Sequence, residues 1–257
     1  MLFILYHAGD TNMIRSGQSH ILAIGGGSFR PTARHGFLEA SPLLRYGLDL
    51  TGQDRPKLGL VATAMGDDAD WLLKMYGAFA GWDVELSHLT VFPMPNVKDP
   101  RAWMLEQDMI YVSGGSVANL AALWRLHGYD EAFEEAWRSG VVLSGQSAGA
   151  LCWHVGGNTD SFGPELNVWA DGLAFLPYSC GVHYNSEPQR RQLLHQSVAS
   201  GELPEGYAAD EGVALHYVGT DFIQAVTTDP AGYAYKVEHD GAEGAKEFRI
   251  EPRLLAS

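Results

Sequence analysis

Ser147 stands between two glycines in "VVLSGQSAGALCW", residues 141–153. Gly145-Gln146-Ser147-Ala148-Gly149 fits G-x-S-x-G, a strand that turns sharply into a helix and projects its hydroxyl outward. The glycines leave room for a turn that a β-carbon would obstruct. A serine hydroxyl is a weak nucleophile at neutral pH, so it needs a base within hydrogen-bond reach, normally a histidine oriented by a carboxylate. Among ten histidines, His154 is expected on the helix that follows the serine, about 10 Å down its axis, and is set aside. His127 and His195 fall in helical stretches. His183, in "LAFLPYSCGVHYNSEPQRR", falls where an apolar strand gives way to a polar loop, the place from which a sheet delivers catalytic side chains. By chemistry Asp160, Glu187, Asp210 and Glu211 are all open as the third member. The oxyanion of acyl transfer needs donors, for which the N–H of Ala148 and one from the pair Gly114-Gly115 are the candidates.

The elements that must hold these groups repeat a pattern. A short apolar run ends in glycine at "ILAIGGG" (21–27), "KLGLVATAMG" (57–66), "MIYVSGG" (109–115) and "VVLSGQSAG" (141–149). Between these runs Trp71, Leu72, Met75, Tyr76 and Phe79 share one helical face, as do Leu120, Leu123 and Trp124, with Phe133 and Trp137 further on. Apolar strands alternating with helices imply a parallel sheet covered on both faces, an α/β/α sandwich. Two hairpins are expected after it, one around Gly219 and one in "GYAYKVEHDGAEGAKEFRIEP", extending the sheet with antiparallel strands. Residues 1–20 read as an appendage and 21–257 as a single domain.

Composition narrows the function. Seventeen basic against thirty-one acidic residues give a formal charge of −14, which repels nucleic acid and anionic lipid in the absence of a basic patch. No apolar run approaches the roughly 18 to 20 residues that cross a bilayer, and "MLFILYH" lacks the form of a secretory signal, so a cytoplasmic protein is expected. Cys152 and Cys180 read as buried small hydrophobes. H-E-x-x-H and C-x-x-C are both missing from the sequence, and a serine mechanism asks for no metal or other cofactor. "GGGSF" at 25–29 invites a nucleotide-binding reading, but Arg30 stands where the last glycine of G-x-G-x-x-G belongs, and that reading is dropped.

In order and spacing, "YVSGGSVANL", "GQSAGALCW", "NTDSFG" and "HYNSEPQRR" resemble the peptidase E and cyanophycinase family of serine peptidases over about residues 21–235. The resemblance implies a fold like the class I glutamine amidotransferases, with Ser147 as nucleophile and His183 as base. It places the triad acid in "AADEGVAL" and points to Glu211, with Asp210 and Asp160 as rivals. Neighbouring strand residues face opposite ways, so only one of Asp210 and Glu211 can meet the imidazole. Within the family pattern Gly115 is the second oxyanion donor. Known members cleave dipeptides with N-terminal aspartate; such a substrate would need a cation, for which Arg190 or Arg191 is the candidate. The expected function is therefore a serine peptidase acting on small peptides through an acyl-enzyme. A cyanophycinase-like peptidase, an esterase and a noncatalytic small-ligand-binding protein are the alternatives, and a homodimer is left open.

Overall fold

The structure, a computed structural model, describes residues 18–34, 36–241 and 244–256. Its first half runs β1 (His20–Ile24), β2 (Phe29–Pro31), β3 (Leu38–Ala40), α1 (Pro42–Asp49), β4 (Lys57–Val61), α2 (Ala69–Ala78), β5 (Glu85–Leu89), α3 (Pro100–Leu105), β6 (Met109–Val112), α4 (Val117–His127), α5 (Tyr129–Arg138) and β7 (Val142–Gln146). The second half runs α6 (Ala148–Leu151), β8 (His154–Thr159), β9 (Asn167–Trp169), β10 (Leu176–Gly181), α7 (Pro188–Ala199), β11 (Gly206–Ala209), β12 (Val213–Val218), β13 (Asp221–Thr227), β14 (Ala234–His239), β15 (Ala245–Ile250) and β16 (Arg253–Leu254). Residues 1–17 of the expected appendage lie outside the described residues, and His20 already belongs to β1.

Helix starts follow their local chemistry. Ser41, Asp68, Asp99 and Ser116 each accept a backbone N–H in the first turn of α1, α2, α3 and α4, and Pro42 and Pro100 sit where a missing N–H costs nothing. Gly128, at φ 69°, ends α4 and lets α5 start in a new direction, which splits the expected helical stretch in two.

The main sheet has eight strands in the order β16-β13-β12-β1-β7-β6-β4-β5. The run from β1 to β5 is parallel, while β12 lies antiparallel to β1 and β13 antiparallel to β12. Strand side chains alternate between two cores: Ile21, Ala23, Ile110 and Val112 pack with Leu120, Trp124 and Phe133, whereas Leu22, Ile24, Met109 and Tyr111 pack with Leu43, Leu44 and Met75. Both faces are therefore buried, as a parallel sheet requires. No helix among the described residues is long and apolar enough to cross a membrane.

A second sheet, β15-β14-β11-β10-β8-β9, was not expected. The hairpin β14-β15 joins it rather than the main sheet, pairing with β11. β10 and the β14-β15 hairpin read as extended in sequence, but their pairing into a separate sheet does not, because glycine replaces side chains where backbones meet: a Cβ at Gly157 would lie 2.2 Å from the carbonyl oxygen of Cys180, and one at Gly206 would lie 2.0 Å from that of Ser179. The helix after Ser147 is correspondingly shorter than expected. It stops at Leu151, and His154 opens β8 instead of continuing the helix.

Candidate active site

Ser147 leaves β7 with φ 52° and ψ −113°, a conformation that costs a non-glycine residue about 1–3 kcal/mol. Four non-glycine residues among those described have positive φ, and Ser147 and His183 are two of them. The neighbouring glycines make the elbow feasible. A Cβ at Gly145 would stand 2.5 Å from the Gly149 carbonyl oxygen, and one at Gly149 would stand 2.2 Å from that of Val112 at the end of β6. The Ser147 N–H donates to the Ile24 carbonyl at 3.1 Å, and the Gln146 side chain accepts the Ser28 N–H at 2.9 Å, which ties the elbow to the end of β1.

The next carbonyl on β1 holds the histidine. His183 lies two residues past β10, with φ 53°, and its N–H donates to Gly25 O at 3.1 Å. Its Nδ1 is hydrogen-bonded to Glu211 Oε1. Glu211 is fixed in turn by the Asn185 side chain, which accepts the Glu211 N–H at 3.0 Å, and by the Gly212 N–H, which donates to Gly26 O at 3.0 Å. Gly26 supplies the space: a Cβ there would sit 2.2 Å from Glu211 Oε2. The glycine run at 25–27 thus makes room for the Glu211 carboxylate, and the segments carrying Ser147, His183 and Glu211 all bond to residues 24–26.

On the other flank of β7, the β6 end carries Gly114 and Gly115. Gly114 faces Ser147, since a Cβ there would lie 3.3 Å from Ser147 Cβ. Gly115 has φ 130° and abuts Ala64, whose carbonyl oxygen also accepts the Ser116 N–H at 2.9 Å. Ala148 opens α6, and a first-turn N–H has no acceptor within its own helix.

The remaining candidates have other occupations. The Asp210 carboxylate accepts the Tyr233 N–H at 2.9 Å and the Tyr235 hydroxyl at 3.5 Å, and burial raises its pKa. Asp160 is exposed and lies 3.9 Å from Arg190. Buried Arg190 donates to Glu187 Oε2 at 2.7 Å and to the Asn158 carbonyl at 2.8 Å. Arg191 pairs with Glu247 and lies over the rings of Tyr184 and Tyr235. His154 is buried, with Nδ1 at 2.8 Å from Ala150 O and Nε2 at 3.3 Å from the Tyr217 hydroxyl; desolvation lowers its pKa to about 4. The helical distance on which it was set aside does not apply, since His154 lies on β8 rather than on the helix after Ser147. Gly26 and Asn185 were missed by sequence reasoning. Their only signal was proximity to motifs read for other purposes.

A model of "Peptidase family S51" matches residues 21–225 of the chain. The chain is 38% identical over 226 residues to a protein of Bacillus subtilis strain 168 named uncharacterized peptidase YgaJ, covering 87% of this chain and 95% of the relative. Among solved structures, a peptidase from an acI-B1 Actinobacterium superposes with a TM-score of 0.59 at 16% identity, covering 93% of this chain and 99% of the other. A candidate peptidase E protein of Listeria monocytogenes EGD-e gives 0.58 at 15% identity, covering 82% and 100% respectively. These two likenesses are likenesses of fold.

Proposed function

Since the chain belongs to peptidase family S51 and is a serine-type peptidase, we propose that it cleaves small peptides through an acyl-enzyme on Ser147, with His183 as base and Glu211 as the acid that orients it. The observation that carries this reading is the shared anchorage of all three segments on residues 24–26, together with the bond from His183 Nδ1 to the Glu211 carboxylate. In this mechanism the Ser147 hydroxyl attacks the scissile carbonyl while His183 Nε2 takes its proton. Glu211 fixes the tautomer through Nδ1 and stabilises the imidazolium. The N–H groups of Ala148 and Gly115 receive the oxyanion, the imidazolium protonates the departing amine, and water then repeats the sequence on the ester.

Cleavage of Asp-X dipeptides, the narrower expectation, receives less support. Both arginines expected to bind an aspartyl carboxylate already hold carboxylates of the chain, Glu187 and Glu247. The test of the broader reading is Ser147→Ala, which should abolish turnover of a dipeptide panel and labelling by a fluorophosphonate while leaving the melting temperature within a few degrees of the parent. Undiminished hydrolysis by that variant would end the proposal. A parent protein that neither labels nor hydrolyses would favour a binding role on the same scaffold, and a panel including aspartyl dipeptides, β-aspartyl-arginine polymer and simple esters separates the enzymatic alternatives.

A further inference from the structure

We propose that a cavity at the ends of β4, β5 and β6 receives an apolar side chain on the acyl side of the scissile bond, an inference that rests on the peptidase reading above. Strand order supplies the geometry. In the main sheet β7 lies between β1 and β6, so His183 and Glu211, anchored on the end of β1, flank the nucleophile on one side and the Gly114-Gly115 turn flanks it on the other. The leaving amine must sit beside the imidazole that protonates it. The residue that stays on Ser147 as the acyl group therefore extends toward the glycine turn.

Beyond that turn is a cavity of about 380 Å³, walled by Thr63, Ala64, Phe92, Asn119, Ala122 and Leu123. The turn spans the gap between Ser147 and this wall: a Cβ at Gly114 would lie 3.3 Å from Ser147 Cβ, and one at Gly115 would lie 2.3 Å from the carbonyl oxygen of Ala64, which lines the cavity. Its lining carries no ionisable side chain among the described residues. The walls are held in place. Asp67 accepts the N–H groups of Val91 and Phe92 at 2.5 and 3.0 Å, and the Trp124 indole donates to the Thr63 hydroxyl at 3.3 Å. Phe92 leaves 47% of its surface open, apolar area that an entering side chain would cover. A carboxylate in the same place would lose its hydration without gaining a cation. A larger cavity, about 540 Å³ and bordered by Asp160, Glu165 and Glu187, lies by contrast on the imidazole side, since Glu187 N–H donates to His183 O.

Dipeptides X-Leu with X as Leu, Phe, Met, Gly, Asp or Arg test the inference on the intact protein. We expect kcat/KM for Leu, Phe or Met to exceed that for Gly and for Asp by about tenfold or more. Ala122→Trp, introduced on the exposed side of α4, should fill the cavity and bring the Leu-to-Gly ratio close to one. An equal or higher rate on Asp-Leu, a flat panel, or a ratio unmoved in Ala122→Trp with the fold intact would overturn it; if that variant does not fold, the parent panel alone decides. Fluorophosphonate labelling of Ser147 separates the two failures. A labelled enzyme with a flat or acidic preference removes this inference only, whereas an unlabelled and inactive protein removes the peptidase reading and this inference together.

Discussion

Glu211 and Asp210 are adjacent in sequence, and their surroundings separate them. Glu211 meets His183 Nδ1, while Asp210 turns to the Tyr233 N–H and the Tyr235 hydroxyl. If Glu211 orients the base, Glu211→Gln keeps the size but offers the imidazole the wrong partner. Its kcat should fall by about 10²- to 10⁴-fold with an unchanged melting temperature. Asp210→Asn retains an acceptor for the Tyr233 N–H, and its kcat should stay within about tenfold of the parent. Steady-state rates of both on one dipeptide decide the matter, and a greater loss in the Asp210 variant would reverse the assignment. Gly26→Ala adds the more searching test. Its methyl group would lie 2.2 Å from Glu211 Oε2, so the carboxylate must leave the imidazole, and kcat should approach that of Glu211→Gln although no ionisable group has been changed. Ser147 and His183 stand out in the sequence because each carries its own chemistry in a distinctive setting, whereas Glu211 was singled out from Asp160, Glu187 and Asp210 only by the resemblance; that its carboxylate meets the His183 ring is what the structure adds. Gly26 was not legible, because what it contributes is an absence of atoms opposite a residue 185 positions away.

At the scale of elements, the four units of strand and glycine proved readable: all four strands lie in the main sheet, and their apolar runs are buried on both faces. The hairpin β12-β13 was equally clear, since two extended runs flank the turn at Gly219. What could not be read was the second sheet. The strands β8 and β10 hold Gly156, Gly157 and Gly181, and their pairing depends on contacts with distant backbone rather than on propensity or period. The same close packing makes the elbow sensitive. A Cβ at Gly149 would meet the Val112 carbonyl oxygen at 2.2 Å and Val112 Cβ at 2.9 Å, and no flexible side-chain end is there to yield. Gly149→Ala should therefore force α6 away from the end of β6 and destabilise the protein by about 3 kcal/mol or leave it insoluble. Urea unfolding of the soluble fraction measures this. A stability within 0.5 kcal/mol of the parent, as an order-of-magnitude criterion, would mean that the elbow is looser than its geometry implies.

Across the whole molecule, acid should act through histidines remote from the proposed catalysis. His216, buried between β1, β12 and α1, takes the Tyr46 hydroxyl at 2.7 Å on Nδ1 and His20 Nδ1 at 3.0 Å on Nε2. Desolvation, then the charges of His20 and Arg253, lower its pKa to about 3. Burial alone lowers His20, and desolvation brings His154 to about 4. In the unfolded chain each of these titrates near 6.5, so as pH falls below that value the unfolded state takes up protons that the folded state refuses. The stability each contributes is complete above pH 6.5 and is lost progressively down to its folded pKa. Between pH 6.5 and 4.5 the loss from His154 and His216 together is roughly 4 kcal/mol, close to the whole stability of a marginal domain. Glu247, desolvated but held below its ordinary value by His195, Arg191 and Tyr184, adds to the loss only below about pH 4.5. Asp49 and Asp210, raised by burial, act in the opposite sense in that same acid range. Unfolding free energies from urea titrations at pH 7.5, 6.5, 5.5 and 4.5 should thus stay level down to 6.5 and then drop steeply. His216→Gln, which cannot titrate, should show a shallower slope over the same interval even if it starts from a lower value. A parent curve that stays flat from pH 6.5 to 4.5 would show that these imidazoles are protonated in the folded protein, and the packing between β1, β12 and α1 would then have to admit water.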